Sequence, residues 1–531
     1  MPIDNKEILK KIVLELYNQS YSSELDFVKA LRQVFSKYKL TPVSKATLIA
    51  VYRQLIADQK IETKSNFEKL LVKRAVRTLS GVSVITVLTK PFSCPGKCVY
   101  CPTEPDMPKS YLSNEPAAAR AKMNLFDPVR QVTMRIQALE NNGHKVDKLE
   151  IMVLGGTWSV YPDDYQDEFI RDCFYAANIF NSKEKRNKLS LEEEQKINED
   201  TRYKIIGLTL ETRPDFVTED EIKKMRRLGT TRVQLGIQHT DNKILELIQR
   251  NDSIEQAIKA TRLLKETGFK VDHHYMPDLP GSSPAKDLKM FKYVFESPDL
   301  QPDQIKIYPC VVNEHAELYK WYESGKYKPY SEKELLDLLL KIKLLTPPYI
   351  RINRLIRDIP EESITAGNKI TNLRQYLQAE LSKQGKACQC MRCREIKGDA
   401  GDINKAKLIT REYQASDGKE IFLSYEFDNK IYAFLRLRFN NDLNKNIFPE
   451  LINTSIVREL HVYGKMTPVK DSGQVQHSGL GKKLMAEAER LTKKNKLDKV
   501  AVISGIGVRN YYKKLGYTIE GTYMTKVLTD K

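Results

Sequence analysis

Apolar residues recur at three-and-four spacing in KEILKKIVLELYN (6–18), TPVSKATLIAVYRQLIADQK (41–60) and SNFEKLLVKRAVRTL (65–79), with lysines and arginines on the remaining face. That periodicity predicts a helical module over residues 1–80. From about 81 to 370 the rhythm changes. VSVITVLTK, KLEIMVLGG, YKIIGLTLE, RVQLGIQH, KVDHHYMPD and IKIYPC read as strands, separated by amphipathic stretches such as IEQAIKATRLLKETG and EKELLDLLLKIKLL. Strand-then-helix repetition predicts a largely parallel α/β sheet, open or curled into a partial barrel, with ligands gathered at the strand C-terminal ends. EKRNKLSLEEEQKINED (184–200) reads as a charged, solvated insertion. Residues 371–400 form a linker around CQCMRC. From 401 to 531, EIFLSYEF, KIYAFLRLRF and TSIVRELHVYG predict antiparallel strands, followed by the helix GLGKKLMAEAERLTKKN, the strand KVAVISGIG and RNYYKKLGY, an α+β unit.

No apolar run approaches the ~20 residues that span a bilayer. The first residues, MPIDNKEILKKI, are charged where a signal peptide is apolar, so the reading is a soluble, cytoplasmic protein. The 87 basic and 69 acidic residues leave a formal charge of +18. Such a surplus favours polyanionic partners, nucleic acid above all. Residues 1–80 carry 15 Lys/Arg against 8 Asp/Glu, which marks the helical module as a nucleic-acid clamp, with a plain structural cap as the alternative.

Cys94, Cys98 and Cys101, in PFSCPGKCVYCP, follow the first strand. Structural zinc takes four ligands, usually in two separated pairs. Three thiolates in C-x3-C-x2-C spacing instead fit a [4Fe–4S] cluster with one open iron, able to chelate S-adenosylmethionine (SAM) and cleave it reductively to a 5′-deoxyadenosyl radical. Cys310 closes the strand IKIYPC and, with Cys388, Cys390 and Cys393, makes up the four ligands of a closed zinc site stapling barrel to linker. The alternatives are a recruited histidine or metal-free thiols. Cys173, on RDCFYAA, reads as core.

CPGKCVYCP, VLGGTW, TLETRPD, QLGIQH, HHYMPDLPG, KIYPC, RDIP, SIVRELHVYG, QHSGLG and RNYYKKLGY occur in one order. In these stretches the chain resembles, along essentially its whole length, the family of the Elongator catalytic subunit in its stand-alone archaeal form. The resemblance implies a radical-SAM partial TIM-like barrel fused to a GNAT-type acetyltransferase domain. The compact cysteine spacing differs from many eukaryotic members, whose first two cluster cysteines lie further apart. Gly155 and Gly156 would let SAM approach the backbone, and Glu211 and Arg213 resemble contacts to its polar groups, with a structural ion pair as the alternative. Gln234 and Gln238 complete the cofactor-binding set. His273 and His274, adjacent on a strand, must face opposite ways; His274 is the one assigned to the cavity. Lys306 and Tyr308 share a face and could meet a substrate phosphate or carbonyl.

Gln476, His477, Ser478, Gly479, Leu480 and Gly481 match the acetyl-CoA pattern Q-x-x-G-x-G, in which bared amides at a helix N-terminus cradle pyrophosphate. By the resemblance, Tyr512 lies near the thioester sulfur as general acid, with Tyr511 the less favoured neighbour. Lys513 and Lys514 could serve the coenzyme A phosphates, and Glu459 and His461 form a polar pair near the acyl group.

The implied reaction is the family's proposed one. The adenosyl radical takes hydrogen from the acetyl methyl group, the carbon radical adds to C5 of the wobble uridine U34 in the tRNA anticodon loop, and thioester hydrolysis with loss of an electron leaves 5-carboxymethyluridine. An electron donor is required, and self-association is open. The competing reading is a protein lysine acetyltransferase with a structural iron–sulfur domain; a basic histone-type tail is a poor partner for a +18 protein.

Overall fold

The computed structural model describes residues 3–72, 81–182, 186–396, 403–463 and 479–529. Four helices open it: α1 (Ile3–Tyr17), α2 (Glu24–Lys37), α3 (Lys45–Ala57) and α4 (Ser65–Leu71). Ser23 and Ser44 cap α2 and α3 by accepting from backbone N–H groups of the first turn. The apolar faces meet in their own core around Leu9, Ile12, Phe27, Leu48, Tyr52 and Phe67. Arg53 of α3 ties this bundle to the helix Pro128–Asn141, donating to the carbonyls of Glu140 and Gly143 at 2.9 and 3.2 Å.

The next unit is a seven-stranded, wholly parallel sheet. Its strands are β1 (Ser83–Leu88), β2 (Lys148–Leu154), β3 (Lys204–Thr212), β4 (Arg232–Gln238), β5 (Lys270–Tyr275) and β6 (Gln304–Ile307), then, after the two-residue β7 (Val311–Val312), β8 (Arg351–Arg354). The order is β1-β2-β3-β4-β5-β6-β8, and β7 pairs separately with β9 (Ala366–Gly367). The sheet curls into a half-barrel with helices outside, and the strand period of two sorts its residues. On β5, Val271 packs into the helix-covered core, and His273 is buried between Thr261 and the Tyr275 hydroxyl. Lys270 and His274 face the hollow.

The C-terminal sheet runs β10-β11-β12-β13-β14-β16-β15. These strands are β10 (Lys407–Gln414), β11 (Gly418–Phe427), β12 (Lys430–Asn440), β13 (Ser455–Val462), β14 (Lys499–Val502), β15 (Thr518–Glu520) and β16 (Tyr523–Val527), with the helix Leu480–Lys494 packed against them. β13 and β14 are parallel but paired only over Ser455–Val457. Beyond that point β13 bonds to β12 alone, so a wedge opens at the centre of the sheet. Glu459 lies opposite Arg436 and Val457 opposite Leu437, which makes Arg458 an extra residue, a bulge that turns its side chain into the interface with the half-barrel.

There Arg458 meets Asp303, which precedes β6, at 2.5 and 2.9 Å, and Glu420 of β11 at 2.9 Å. Arg436 lies 3.6 Å from Asp303, Arg438 lies 3.1 Å from Glu420, and Lys265 lies 3.8 Å from both carboxylates. All six side chains are buried. Around the network the two sheets share one apolar core, with Ile456, Ala501, Ile503 and Tyr523 joining the barrel's cluster. Gly505 and Gly507 lie against β3: a Cβ on Gly505 would meet the Ile206 carbonyl oxygen at 2.0 Å.

The structure corrects three expectations. The charged insertion packs as the helix Leu191–Asn198, with Glu194 and Asn198 fully buried. Asn198 donates to the Tyr203 carbonyl and accepts from the Ile205 amide, which fixes the start of β3. β8 and β10 are strands that the apolar pattern does not announce: β8 is four residues with two arginines, and β10 is an edge strand exposed at alternate positions. Cys310 does not join Cys388, Cys390 and Cys393. It lies beyond the C-terminal end of β6, among Val99, Leu318 and Tyr327, whereas Met391 bonds to Ile350 ahead of β8, at the opposite end of the parallel sheet. Cys173 is core, as read.

Arg458→Met would leave Asp303 and Glu420 short of their closest cation. Breaking a buried ion pair from one side costs about 3–5 kcal/mol. Denaturant titration should show a loss of that order, whereas Lys320→Ala, which removes an exposed pair with Glu317, should leave the midpoint unchanged.

Candidate functional site

The loop after β1 carries Cys94, Cys98 and Cys101, and the turn after β2 runs beside it. Gly155 and Gly156 sit at φ +142° and +100°. A Cβ on Gly155 would stand 1.8 Å from Thr89 Oγ1, so only glycine admits the close approach of the two strand ends. The next residue, Thr157, puts its hydroxyl 3.7 Å from Cys94 Sγ. Arg213 is held by Asp215 through two 2.9 Å bonds, while its Nη1 is buried without a partner and lies beside Gly96, between Cys94 and Cys98. Arg250, which sequence reasoning missed, places Nη1 3.7 Å from Cys98 Sγ and pairs with Asp252 at 3.0 Å. It ends the run NKILELIQR with nothing in the pattern to single it out.

Glu211, at the end of β3, accepts from the Tyr111 hydroxyl at 3.2 Å and lies 3.7 Å from His274 Nδ1. Burial raises its pKa, opposed by the charges of Lys306 and Arg357. His274 is pushed well down by burial, with Lys306 adding to the effect, and is neutral; its Nε2 has no partner. Lys306 donates to Gln234 Oε1 at 2.5 Å, and Tyr308 packs edge-on against His274. Gln238, at φ +72°, reaches the same hollow, as do Arg354 and Arg357. Arg357, from the RDIP stretch, pairs with Glu115 at 2.9 Å. Glu211 and Arg213 therefore do not pair with each other, and His274 is the member of its pair that faces inward.

On the other domain the cavity enters the wedge between β13 and β14. Gly479, at φ +76°, caps the helix Leu480–Lys494 with open space where its side chain would be. The Tyr511 hydroxyl lies 2.9 Å from where a Cβ on Gly481 would stand, so Tyr511 covers that helix start and the bare glycine makes room for it. Gln476, His477 and Ser478 lie outside the described residues. Tyr512 is buried beside Tyr511. Glu459 is bound by Arg436 at 3.0 Å. His461 stacks on Phe434, and burial lowers its pKa to about 4, so it is neutral. Lys513 departs from expectation, because its ammonium sits 2.7 Å from Glu199, which also takes Arg509. A bridge from the insertion helix thus holds the short helix that bears both tyrosines.

Both regions line one cavity of about 1920 Å³, which runs from Tyr100, Met276 and Tyr308 through the half-barrel to Glu459, His461, Gly481 and Tyr512. Among the described residues, Cys388, Cys390 and Cys393 alone bring three such metal-ligating atoms within 4.8 Å of one another. That spacing suits one ion, since sulfurs ~2.3 Å from a shared zinc crowd together. The thiols of Cys94, Cys98 and Cys101 are not drawn so close together. No helix among the described residues is long and apolar enough to cross a membrane.

Residues 91–292 match the model of the radical SAM superfamily, and residues 302–383 match that of its C-terminal domain. A tRNA uridine(34) acetyltransferase of Methanocaldococcus jannaschii is 44% identical over 490 residues, 88% of each chain. Elongator complex protein 3 of Saccharomyces cerevisiae is 36% identical over 539 residues, 97% of this chain and 95% of that one. The solved structure of Methanocaldococcus infernus Elp3 lacking its N-terminus superposes with a TM-score of 0.73 at 41% identity, covering 85% of this chain and all of that one.

Gly155→Ala should force β1 and β2 apart at the cysteine loop. The expected outcome is a folded chain whose far-ultraviolet circular dichroism is retained but which takes up less than half the iron of the unaltered protein on anaerobic reconstitution.

Proposed function

Since the chain belongs to the family of the tRNA uridine(34) acetyltransferases and Elongator complex protein 3, we propose that it converts U34 of tRNA to 5-carboxymethyluridine, using SAM and the acetyl group of acetyl-CoA. The single observation that carries this reading is the shared cavity. A radical generated at the half-barrel's strand ends and an acyl group held in the β13–β14 wedge have a common, enclosed space. A lysine acetyltransferase would need no such connection.

Cys94, Cys98 and Cys101 would hold a [4Fe–4S] cluster, which with SAM supplies a carbon radical able to take hydrogen from a methyl group. The chain's own groups prepare that site. Arg250 donates toward the Cys98 sulfur, and the unpartnered Nη1 of Arg213 offers a donor next to the cysteine loop. Glu211 presents a carboxylate to an ammonium. His274, neutral, can accept or donate a hydrogen bond without adding charge. Lys306 and Tyr308 offer donors to the uracil carbonyls.

In the wedge, the exposed backbone at Gly479 and Gly481 suits the coenzyme A pyrophosphate at a helix N-terminus. Burial holds Tyr512 protonated far above neutral pH, so its hydroxyl can donate a hydrogen bond to a departing thiolate. Glu459 or neutral His461 is placed to take a proton from the water that hydrolyses the thioester. The α1–α4 bundle, with its surplus of positive charge, suits the tRNA backbone, while an unpaired anticodon loop can be splayed and stacked. The reaction needs an external one-electron donor.

Cys388, Cys390 and Cys393 would hold a structural zinc between the domains. Hydrogen bonds from Cys388 and Cys390 hold the Cys393 thiol far toward thiolate. Lys343 and Gln378 add bonds to its sulfur at 3.8 and 3.5 Å. Elemental analysis should find one zinc per chain. Cys390→Ser should lose it and lower the thermal midpoint by several degrees, leaving the cluster's visible absorption intact.

The decisive test is an anaerobic incubation of reconstituted protein with SAM, reductant, unmodified tRNA and acetyl-CoA labelled in its acetyl carbons. Nuclease digestion and mass spectrometry should find labelled 5-carboxymethyluridine at position 34, absent with Cys98→Ala. Acetyl transfer to an added protein with the uridine untouched would reject the reading.

A further inference from the structure

The half-barrel interior is lined with charge, and most of its arginines are matched by carboxylates. Arg232 is paired with Glu150 and donates to Gln304 Oε1 at 2.8 Å. Arg351 meets Glu395 at 2.7 Å, Arg354 meets Asp358 at 2.6 Å, Arg357 meets Glu115, and Lys306 meets Gln234. Lys306 has no carboxylate partner but donates to the Gln234 amide oxygen, whereas Lys270 has neither a carboxylate nor a hydrogen-bond acceptor among the described residues. It opens β5 opposite Arg232, its backbone N–H bonded to the Thr231 carbonyl and its side chain directed into the cavity. Among the described residues its ammonium has no carboxylate within ion-pair distance. The charges that act on it most strongly are Glu459 on β13, then Arg232, Asp303 and Arg436. Glu459 has closed on Arg436 instead.

Lys270 is partly buried and lines the cavity without a partner; this burial pushes its pKa down to about 8. The position gives the charge a use. Lys270 stands where the acyl wedge opens into the half-barrel, facing Glu459 and His461. Its strand continues inward through Asp272 to His274, about 13 Å further at the usual rise per residue. His274 is the residue that touches Glu211 beside the radical site. Lys270 lines the cavity together with the wedge residues Glu459 and His461. The function proposed above keeps the thioester whole until its methyl has reacted, so the group arriving at Lys270 carries a carbonyl oxygen and no charge.

We propose that Lys270 is the docking residue for the thioester carbonyl oxygen of acetyl-CoA, donating a hydrogen bond at the mouth of the half-barrel and aiming the acetyl methyl along β5 toward His274. The assignment rests on the acyl-CoA reading of the wedge. It adds a second domain to the acyl site, because the coenzyme is held by the C-terminal sheet while the acetyl carbonyl is read by the barrel. Free coenzyme A lacks that oxygen and makes no use of Lys270.

The test compares coenzyme A with acetyl-CoA by titration calorimetry on the full chain, without SAM or tRNA. A hydrogen bond from a charged group contributes about tenfold or more in affinity. The unaltered protein should therefore bind acetyl-CoA about tenfold more tightly than coenzyme A. Lys270→Met should bind the two equally, with coenzyme A affinity and thermal midpoint unchanged, and Lys270→Arg should keep most of the preference. In the labelled-uridine assay, Lys270→Met should lose about tenfold in product and Lys270→Arg should recover it. A preference that survives Lys270→Met, or that is absent from the unaltered protein, overturns the proposal. Failure of the unaltered protein to bind either ligand would instead remove the acyl-CoA reading on which it stands.

Discussion

Asp303 and Arg458 fix where everything else can be. One residue precedes a strand of the half-barrel, the other is the bulged residue of a strand in the C-terminal sheet, and both are fully buried. Charges out of water are expensive, and their attraction offsets the cost only when geometry and secondary hydrogen bonds are nearly complete. Here they are: Arg458 donates to Asp303, to Glu420 and to the Phe269 carbonyl, and Arg436 adds the Tyr349 carbonyl. A rotation of one sheet against the other by even an ångström or two would strand several ions at once. An apolar interface of the same area could slide; this one has a single register.

That register decides what the hollow is. A closed TIM barrel fills its interior with branched apolar side chains. This half-barrel does not, because its open side is covered by another domain, and its interior carries Glu150, Arg232, Lys270, Gln304 and Lys306. The C-terminal sheet is also open at its centre, where β13 leaves β14 after Val457. Two incomplete units, locked edge to edge, enclose what neither could enclose alone. The glycines at 505 and 507 let the loop after β14 lie directly on β3, and the Glu199 bridge pins the tyrosine helix to the barrel's insertion. The site follows from the interface.

Much of this was legible in the residues. Six of the seven strands of the barrel sheet announced themselves by apolar runs, the cysteine loop by its spacing, and the opposite faces of His273 and His274 and the shared face of Lys306 and Tyr308 by the strand period of two. What escaped detection depends on distance. Cys310 has the right residue type for a zinc ligand, but the parallel topology places it past the C-terminal end of β6, while Cys390 belongs to the N-terminal end of β8. Glu199 looked like one carboxylate in a solvated run until folding brought Lys513 to it. Arg250 reaches the cysteine loop from the end of a helix, a path that no periodicity records. Lys270 reads as a strand-edge lysine, and only the folded structure shows that it lines the shared cavity without a partner.

The same interface bears on the net charge. Arg436, Arg438, Arg458 and Lys265 are deep in the protein, set against Asp303, Glu420 and Glu459, four cations to three carboxylates. Burying them removes almost as many negative charges as positive ones, so nearly all of the +18 surplus remains where solvent and partners reach it. A protein that had placed its excess arginines in its core would present a near-neutral surface despite its composition. Here the domain clamp is nearly self-neutralising and the surface stays strongly basic. The condition that makes the enclosed site rigid is therefore compatible with the one that attracts a polyanion to its entrance.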